Sequence, residues 1–394
     1  MIKGDGSVSK QEIKETKEQE LAPRRLRPGM IALWALLALA LVGGLLWLIL
    51  RPRGNFSRME AVKSFPVSVS GQARMVSYGE GLLRYSGDGI SYLNSQGLEQ
   101  WNISCSMNNP QLVMQGDYGA LTDVSGQSVV VFNQKGEVGR YTTTDPIMTA
   151  AVSAGGVTTV ALERDLNSLV CFYDKFGLKL DIEISLEMSE SGYPMAMALS
   201  PEGSGLVMSM VSSKGGSLNS QLVFYNFTVG RSEANRLIGF FSHEGHLLPQ
   251  IDYLGSKRVA AVTDAGLEVY SLDQENKPVL LETIPFPGEV SAYVVENRHI
   301  AFLFAEPGSG NNTLHVYDEN GKLQFSKEAG NGVRKLQLGS DLVLLQLENQ
   351  LQLWDYKGNS YFSGSLDHPN AYLFLQGKKM LQLEGGQLNH IRFR

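Results

Sequence analysis

The chain has 394 residues, of which 43% are apolar and 19% charged, and it contains 42 glycines. This is enough apolar material for a large core, in a composition suited to strands and turns. The formal charge of −6 is uneven: residues 1–54 hold nine Lys/Arg against five Asp/Glu, leaving 25 against 35 for residues 55–394. An acidic region of this kind disfavours nucleic acid, which rewards Lys and Arg at phosphates, and for the same reason disfavours docking on anionic lipid. With only two cysteines, Cys105 and Cys171, no disulfide framework is expected. The two read as small buried apolar residues.

Residues 1–29 are polar with mixed charge, and Ser9-Lys10-Gln11-Glu12 matches a helix capping box. A short isolated helix is marginal in water, so this tail is expected to be disordered. Residues 30–50 then run without a charge, long enough for one helix across a bilayer. Trp34 and Trp47 sit near the two ends of the run, where aromatic side chains favour the interface. Arg-Pro-Arg-Gly follows, not the small-residue site of a cleaved signal peptide. Six Lys/Arg lie in the 20 residues before the run and four in the 20 after it, which favours a cytoplasmic N-terminus. The expected layout is a cytoplasmic tail 1–29, a membrane helix 30–50, a linker 51–62 and an extracytoplasmic domain 63–394. Membrane lipid is thus the expected partner of residues 30–50.

Beyond the span, one phrase recurs seven times: apolar residues, then Asp or Asn, usually with Gly three positions on. Clean copies end in Asn94-Ser-Gln-Gly97, Asn133-Gln-Lys-Gly136, Asp174-Lys-Phe-Gly177, Asp318-Glu-Asn-Gly321 and Asp355-Tyr-Lys-Gly358. Looser copies surround Asn226 and Asp273. The gaps are 39, 41, 52, 47, 45 and 37 residues, a period that with strand-like segments marks a propeller. In each copy the Asp or Asn side chain can accept from the backbone N–H groups that follow, and Gly takes the positive φ that re-enters the next strand. The phrase therefore predicts the hairpin between the third and fourth strands of a blade. The aromatic residue four positions past the Gly (Trp101, Phe325, Phe362) is predicted to pack between neighbouring blades.

Four-stranded units are predicted over 73–104, 110–143, 146–185, 193–243, 246–286, 288–329 and 332–366. In the fourth, Ser212–Ser220 reads as a Ser- and Gly-rich insertion. The chain then supplies three more strands, Asn370–Gln376, Lys379–Glu384 and Gln387–Phe393. The missing fourth is expected from Lys63–Ser70, which alternates like a strand. That pairing would tie the two ends together and leave no open sheet edge. The fold class is thus all-β, a propeller of eight four-stranded blades. Eight needs about 42 residues per blade, whereas the alternative of seven needs about 47.

Chemistry is sparse. His243-Glu244-Gly245-His246 lacks the spacing that sets two histidines on one helical face around zinc, and reads as an exposed loop. No nucleophile elbow, phosphate loop or dinucleotide fingerprint occurs. The acid pair Glu163/Asp165 reads as solvated. Four Asn-x-Ser/Thr triplets begin at Asn55, Asn102, Asn226 and Asn311, and they matter only where a glycosylating pathway exists. No catalytic, cofactor-binding or metal residue is assigned, and the binding residues stay open.

The phrase resembles the PQQ-type propeller repeat and, more loosely, the WD repeat. The layout of tail, span and acidic propeller resembles an uncharacterised family of membrane-anchored propellers in Gram-positive bacteria. That resemblance implies a fold but no site residues. PQQ enzymes would need a catalytic Asp, calcium ligands and a stacking aromatic in the central funnel, none of which can be matched here. The expected function is a non-enzymatic scaffold at the cell envelope, binding another envelope protein or a small ligand without a cofactor. The alternatives are an envelope enzyme with its site in the funnel, hydrolase, lyase or PQQ-type, and a membrane sensor.

Overall fold

A computed structural model describes residues 36–43, 56–68, 73–165, 167–214, 216–228, 236–274 and 277–394. Two units separate by their internal contacts, residues 1–53 and residues 54–394. In the first, residues 36–43 are helical and their apolar side chains are exposed. Among the described residues no helix is long and apolar enough to cross a membrane. The remainder of the run 30–50, and the whole tail 1–29, lie outside them.

The second unit is all-β. It contains eight four-stranded sheets, each an antiparallel meander. Seven are continuous in sequence, with strands spanning Arg74–Ser104, Pro110–Thr142, Ile147–Glu187, Tyr193–Glu244, Gln250–Pro285, Val290–Gly330 and Val333–Ser365. These are blades 1 to 7. Blade 8 combines Tyr372–Gln376, Lys379–Glu384 and Gln387–Phe393 with the first strand of the chain, Met59–Pro66, as its outer member. The expected closure is present, so the count is eight and not seven.

The closing strand is shifted from the expected Lys63–Ser70. Met59 pairs with Phe393 and Pro66 with Gln387, with a bulge between Ala61 and Lys63. That bulge and the exposed outer position blur the alternation of residues 59–62, which hides the strand's start. Pro66 has no N–H to continue the ladder, and the last backbone bond runs from Val67 N to Gly386 O at 2.8 Å. At the other end, Ser57 N and Arg58 N both donate to Arg394 O, at 3.0 and 2.9 Å.

The core is distributed. Each of the eight buried apolar clusters lies between two consecutive blades, from Leu83 and Phe132 (blades 1 and 2) round to Leu388 and Leu82 (blades 8 and 1). A blade's middle strands are therefore covered on both faces, and Leu342–Leu347 is buried at every position. That explains continuous apolar runs where a one-sided sheet would alternate.

The repeated phrase is a turn, as predicted. Asn94 Oδ1 accepts from Gln96 N at 2.9 Å and Leu98 N at 3.0 Å. Asp174, Asp318 and Asp355 each accept the same pair of backbone bonds. Gly358 has φ +78°, and a Cβ there would lie 2.7 Å from Phe325 Cβ. The turn glycine is thus held both by its conformation and by the predicted interblade aromatic. Trp101 likewise stacks on Tyr92 and meets Phe132 of blade 2, and Phe362 meets Phe393 of blade 8. Asp273 departs from the pattern, since its carboxylate takes Arg258 and Ser271 instead of a turn.

Blade 4 carries the other departure. The insertion Ser212–Ser220 takes the form of a longer hairpin: Ser213 pairs with Leu218 and Lys214 with Ser217, so both strands reach ten residues. Serine and glycine lowered the strand signal there, while the ladder of Gly205–Lys214 against Ser217–Asn226 carries it through. Cys105 and Cys171 are both unpaired thiols, and burial raises the pKa of each.

Candidate functional site

The first strand of every blade lines the axis. At one end of the hub these strands and the turns that follow them enclose a cavity of about 800 Å³. In an antiparallel meander the first and third turns of a blade share one face. The Asp/Asn–Gly turns therefore stand on the same side of the disc as the cavity mouth.

The wall differs by sector. Blades 3 and 4 contribute an apolar arc, Ala150–Val152 and Met195–Leu199. Blades 7, 8, 1 and 2 contribute amides and hydroxyls, among them Gln337, Gln376, Ser77 and Gln115. Blades 5 and 6 contribute the charges: Asp252, Glu296 and Arg298.

The amides are tied by their nitrogens. Gln115 Nε2 on blade 2 donates to Leu199 O on blade 4 at 3.1 Å. Gln376 Nε2 on blade 8 donates to Gly81 O on blade 1 at 3.1 Å. Gln337 Nε2 on blade 7 donates to Ser77 Oγ on blade 1 at 3.4 Å, while its Oε1 accepts from Leu375 N at 3.3 Å. These bonds tie strands that no ladder joins. Gln115 Oε1 is buried with no hydrogen-bond partner among the described residues.

Asp252 lines the cavity from the blade 6 side of its strand. Its strand, Gln250–Tyr253, places Ile251 in the core between blades 4 and 5 and turns Asp252 to the opposite face. Gln250 Nε2 donates to Asp252 Oδ2 at 2.6 Å. Burial pushes the carboxyl up to about 7, and the bond from Gln250 only partly opposes this. Burial also raises Glu296, against the pull of Lys335. Lys335 is itself lowered to about 8 by burial, with Glu296 raising it in turn. Its ammonium donates to Leu373 O and lies 4.6 Å from the centre of the Phe374 ring. Arg298 sits at the mouth with φ 62°, next to Asn297 at φ 51°. The pair forms a tight hairpin turn of a kind that favours glycine at the arginine's position. The guanidinium of Arg298 is drawn to Glu319 of the same blade.

In the His243–His246 segment only His243 differs from the exposed loop expected. His243 ends the outer strand of blade 4 with its side chain only 10% exposed, and its Nε2 lies 2.8 Å from Glu268 Oε2 on blade 5. Tyr270 donates to the same oxygen. Burial pushes Glu268 up, but the bonds from His243 and Tyr270 outweigh it and hold the carboxyl below its usual value. Glu244, Gly245 and His246 are exposed as expected, and His246 is paired with Asp264 at 2.8 Å. Among the described residues no group of three or more His, Cys, Asp or Glu is arranged to hold a metal ion. Of the acid pair, Glu163 accepts from Tyr193 at 3.0 Å at the blade 3–4 boundary.

Asp252, Glu296 and the hub glutamines were not singled out in the sequence. One signal was available: aligning the units on their turns places Gln115 and Gln376 at the last residue of an inner strand.

Fold and hub together define a closed eight-bladed propeller with a cavity at one end of its axis. The chain belongs to the family of unknown function DUF5711, whose model matches residues 53–393. No curated protein matches it. Among solved structures, Sqt1 from Chaetomium thermophilum is similar at a TM-score of 0.51 and 12% identity, over 84% of this chain and 99% of that one. BamB from Moraxella catarrhalis is similar at 0.50 and 8% identity, over 85% of this chain and 100% of that one. At such identities the likeness concerns the fold alone.

Proposed function

We propose that the protein is a non-enzymatic binding platform held at the cell membrane by residues 30–50, with the hub mouth as its binding surface. One observation carries the reading. A cavity of about 800 Å³ opens at one end of the hub, lined by the carboxyls of Asp252 and Glu296, in a frame cross-tied by hydrogen bonds between blades. A ring closed by its own first strand loses little conformational freedom on binding. The apolar run and its flanking arginines support the anchor, which would concentrate the disc near envelope partners.

A photo-crosslinking residue placed in the full-length chain at Lys257 or Lys378, on the first turns, is expected to capture a partner or ligand in cells. The same residue at Asp88 or Glu306, on the opposite face, should not. Capture only from the opposite face would refute the assignment.

A second reading, an enzyme working in the funnel, draws on the same two carboxyls. Asp252 and Glu296 are both raised toward neutrality, as an acid–base pair requires. Against it, the residues lining the cavity include no His, Cys or Lys. A chain that turns over its ligand, and stops doing so in Asp252→Asn while still binding, would favour this reading.

A further inference from the structure

We propose that the propeller docks on an anionic phospholipid surface through the face that carries the hub mouth, with turn lysines at the phosphates and apolar turn tips at the headgroup boundary. This rests on the reading of residues 30–50 as a membrane anchor, and adds which face of the disc the bilayer meets.

The path of the chain selects the face. Phe56 is the first described residue of the disc, and its N–H donates to Tyr361 O at 3.1 Å, near the start of blade 7's outer strand. Met59 then pairs with Phe393, at the end of blade 8's third strand. A third strand ends where the third turn of its blade stands, so the chain enters the disc on the mouth side. Residues 51–55 alone lie between Phe56 and the uncharged run in the sequence. Extended chain from Leu50 to Phe56 reaches at most about 20 Å. The entry edge is therefore within reach of lipid headgroups.

Charge divides the same way. In the sequence, the first and third connections of the blades, on the mouth face, hold ten Lys/Arg against nine Asp/Glu. The second connections and the links between blades, on the opposite face, hold none against nine. The acidity of residues 55–394 thus disfavours anionic lipid only as an average. Lys135, Lys257, Lys322, Lys357 and Lys378 stand exposed in the turns of the mouth face. Among the acids there, Asp174 accepts the backbone bonds of its own turn, and Asp273 and Glu319 hold Arg258 and Arg298. Exposed lysines attract anionic headgroups, while the carboxylates of the opposite face are repelled by them.

The tips of the same turns are apolar. Leu98 on blade 1 and Phe176 on blade 3 are each 58% exposed, and Leu178, beside Phe176, is 67% exposed. Leu323, first in the outer strand of blade 6, is also exposed. These positions are spread round the ring, which lets the face lie flat on a bilayer instead of touching it by one rim. The opposite face exposes Leu218, Tyr193 and Tyr372, so apolar exposure alone does not separate the faces. Its coincidence with lysine and with the chain's entry does. A short tether makes even a weak surface contact sufficient, because it holds this face at high local concentration near the headgroups.

The test reconstitutes the full-length chain in vesicles of phosphatidylcholine and phosphatidylglycerol in equal parts. A photo-crosslinking residue replaces Leu98, Phe176 or Leu218, and lipid adducts are read by mass spectrometry of the peptides. Adducts are expected at Leu98 and Phe176, and about tenfold fewer at Leu218. Combining Lys322→Glu, Lys357→Glu and Lys378→Glu should lower adducts at Phe176 about fivefold or more, as should vesicles of phosphatidylcholine alone. Thermal unfolding shows whether the variant is folded, and the change of lipid needs no variant.

Equal adducts at Leu218 and Phe176, or adducts at Phe176 that ignore both lipid charge and the lysine reversals, overturn the assignment. A chain that survives an alkaline wash in the vesicles yet gives no adduct at Phe176 overturns the docking and leaves the anchor standing. A chain that washes off overturns the anchor, and the docking with it. The hub reading is decided separately, by capture at Lys257 and Lys378.

Discussion

Gln115 on blade 2 reaches past the inner strand of blade 3 and donates to the carbonyl of Leu199 on blade 4 at 3.1 Å. One side chain thus ties blade 2 to blade 4 at the hub. Gln115→Ala should cost about 1 kcal/mol of stability in urea unfolding, the usual worth of one such bond. Deuterium uptake should rise on the inner strand of blade 4 while the outer strands stay unchanged. Uniform uptake across the disc would show that the brace is idle.

The ring's closure depends in part on one buried side chain just beyond the closing strand. Val67 is buried between Leu388 of blade 8 and Gly97 of blade 1, where a Cβ on Gly97 would lie 2.3 Å from the valine. Val67→Asp places an unpaired charge there and should cost about 3 kcal/mol or more. Opening the outer strand of blade 8 would also bare the edge of Gln387–Phe393, so association of the variant by light scattering is expected.

At the turn of blade 7, Gly358→Ala meets both a positive φ and Phe325. A loss of about 2 kcal/mol is expected, from left-handed strain plus displacement of the ring. Alanine at Gly308, also at positive φ but with nothing within 4 Å of its Cβ, should lose only the strain component. Equal losses at the two positions would show that the aromatic contact adds nothing.

Asp252 gives stability a definite pH dependence. Its folded pKa of about 7 lies above the ordinary carboxylate value of 3.8, so the folded state holds the proton more tightly than the unfolded one. This contribution is fully present below about pH 4, declines as pH rises, and is lost above about 7. Asp252→Asn should therefore stabilise the chain at pH 8, on the order of 2 kcal/mol after allowing for solvent in the cavity, and change little at pH 4. Urea midpoints at the two pH values read this directly. A stabilised variant that has lost its ligand is the expected mark of a carboxyl kept for binding.

Glu268 acts with the opposite sign. Its folded pKa lies below the ordinary carboxylate value of 4.5, so its stabilisation is present above 4.5 and lost as pH falls through the lower folded value. Glu268→Gln should flatten the acid limb of the stability curve below about pH 4.5, and His243→Asn should flatten it in part.

The fold was legible because its signals were local and repeated. Asn94, Asp174, Asp318 and Asp355 bond their own downstream amides, so four residues of sequence carry each turn. Trp101, Phe325 and Phe362 follow at fixed spacing and pack where that spacing implied. The closing strand was legible in existence but not in register, because its bulge interrupts the alternation. The site was far less legible. Asp252 and Gln115 lie 137 positions apart in the chain and share a cavity only after the ring has closed. His243 looked like a loop residue because its partner, Glu268, stands on the next blade. Local pattern reports turns and strands, whereas burial of a polar side chain is decided by distant chain.

The central claim, that the hub cavity is occupied when the protein works, is most directly tested by carboxyl footprinting of Asp252. Carbodiimide coupling would be run in intact cells and on the purified full-length chain, with peptides mapped by mass spectrometry. The expected result is strong coupling at Asp252 and Glu296 in the purified chain, protection of both in cells, and equal coupling in the two settings at Glu348 on the far face. Equal coupling at Asp252 in cells and in isolation would contradict the claim.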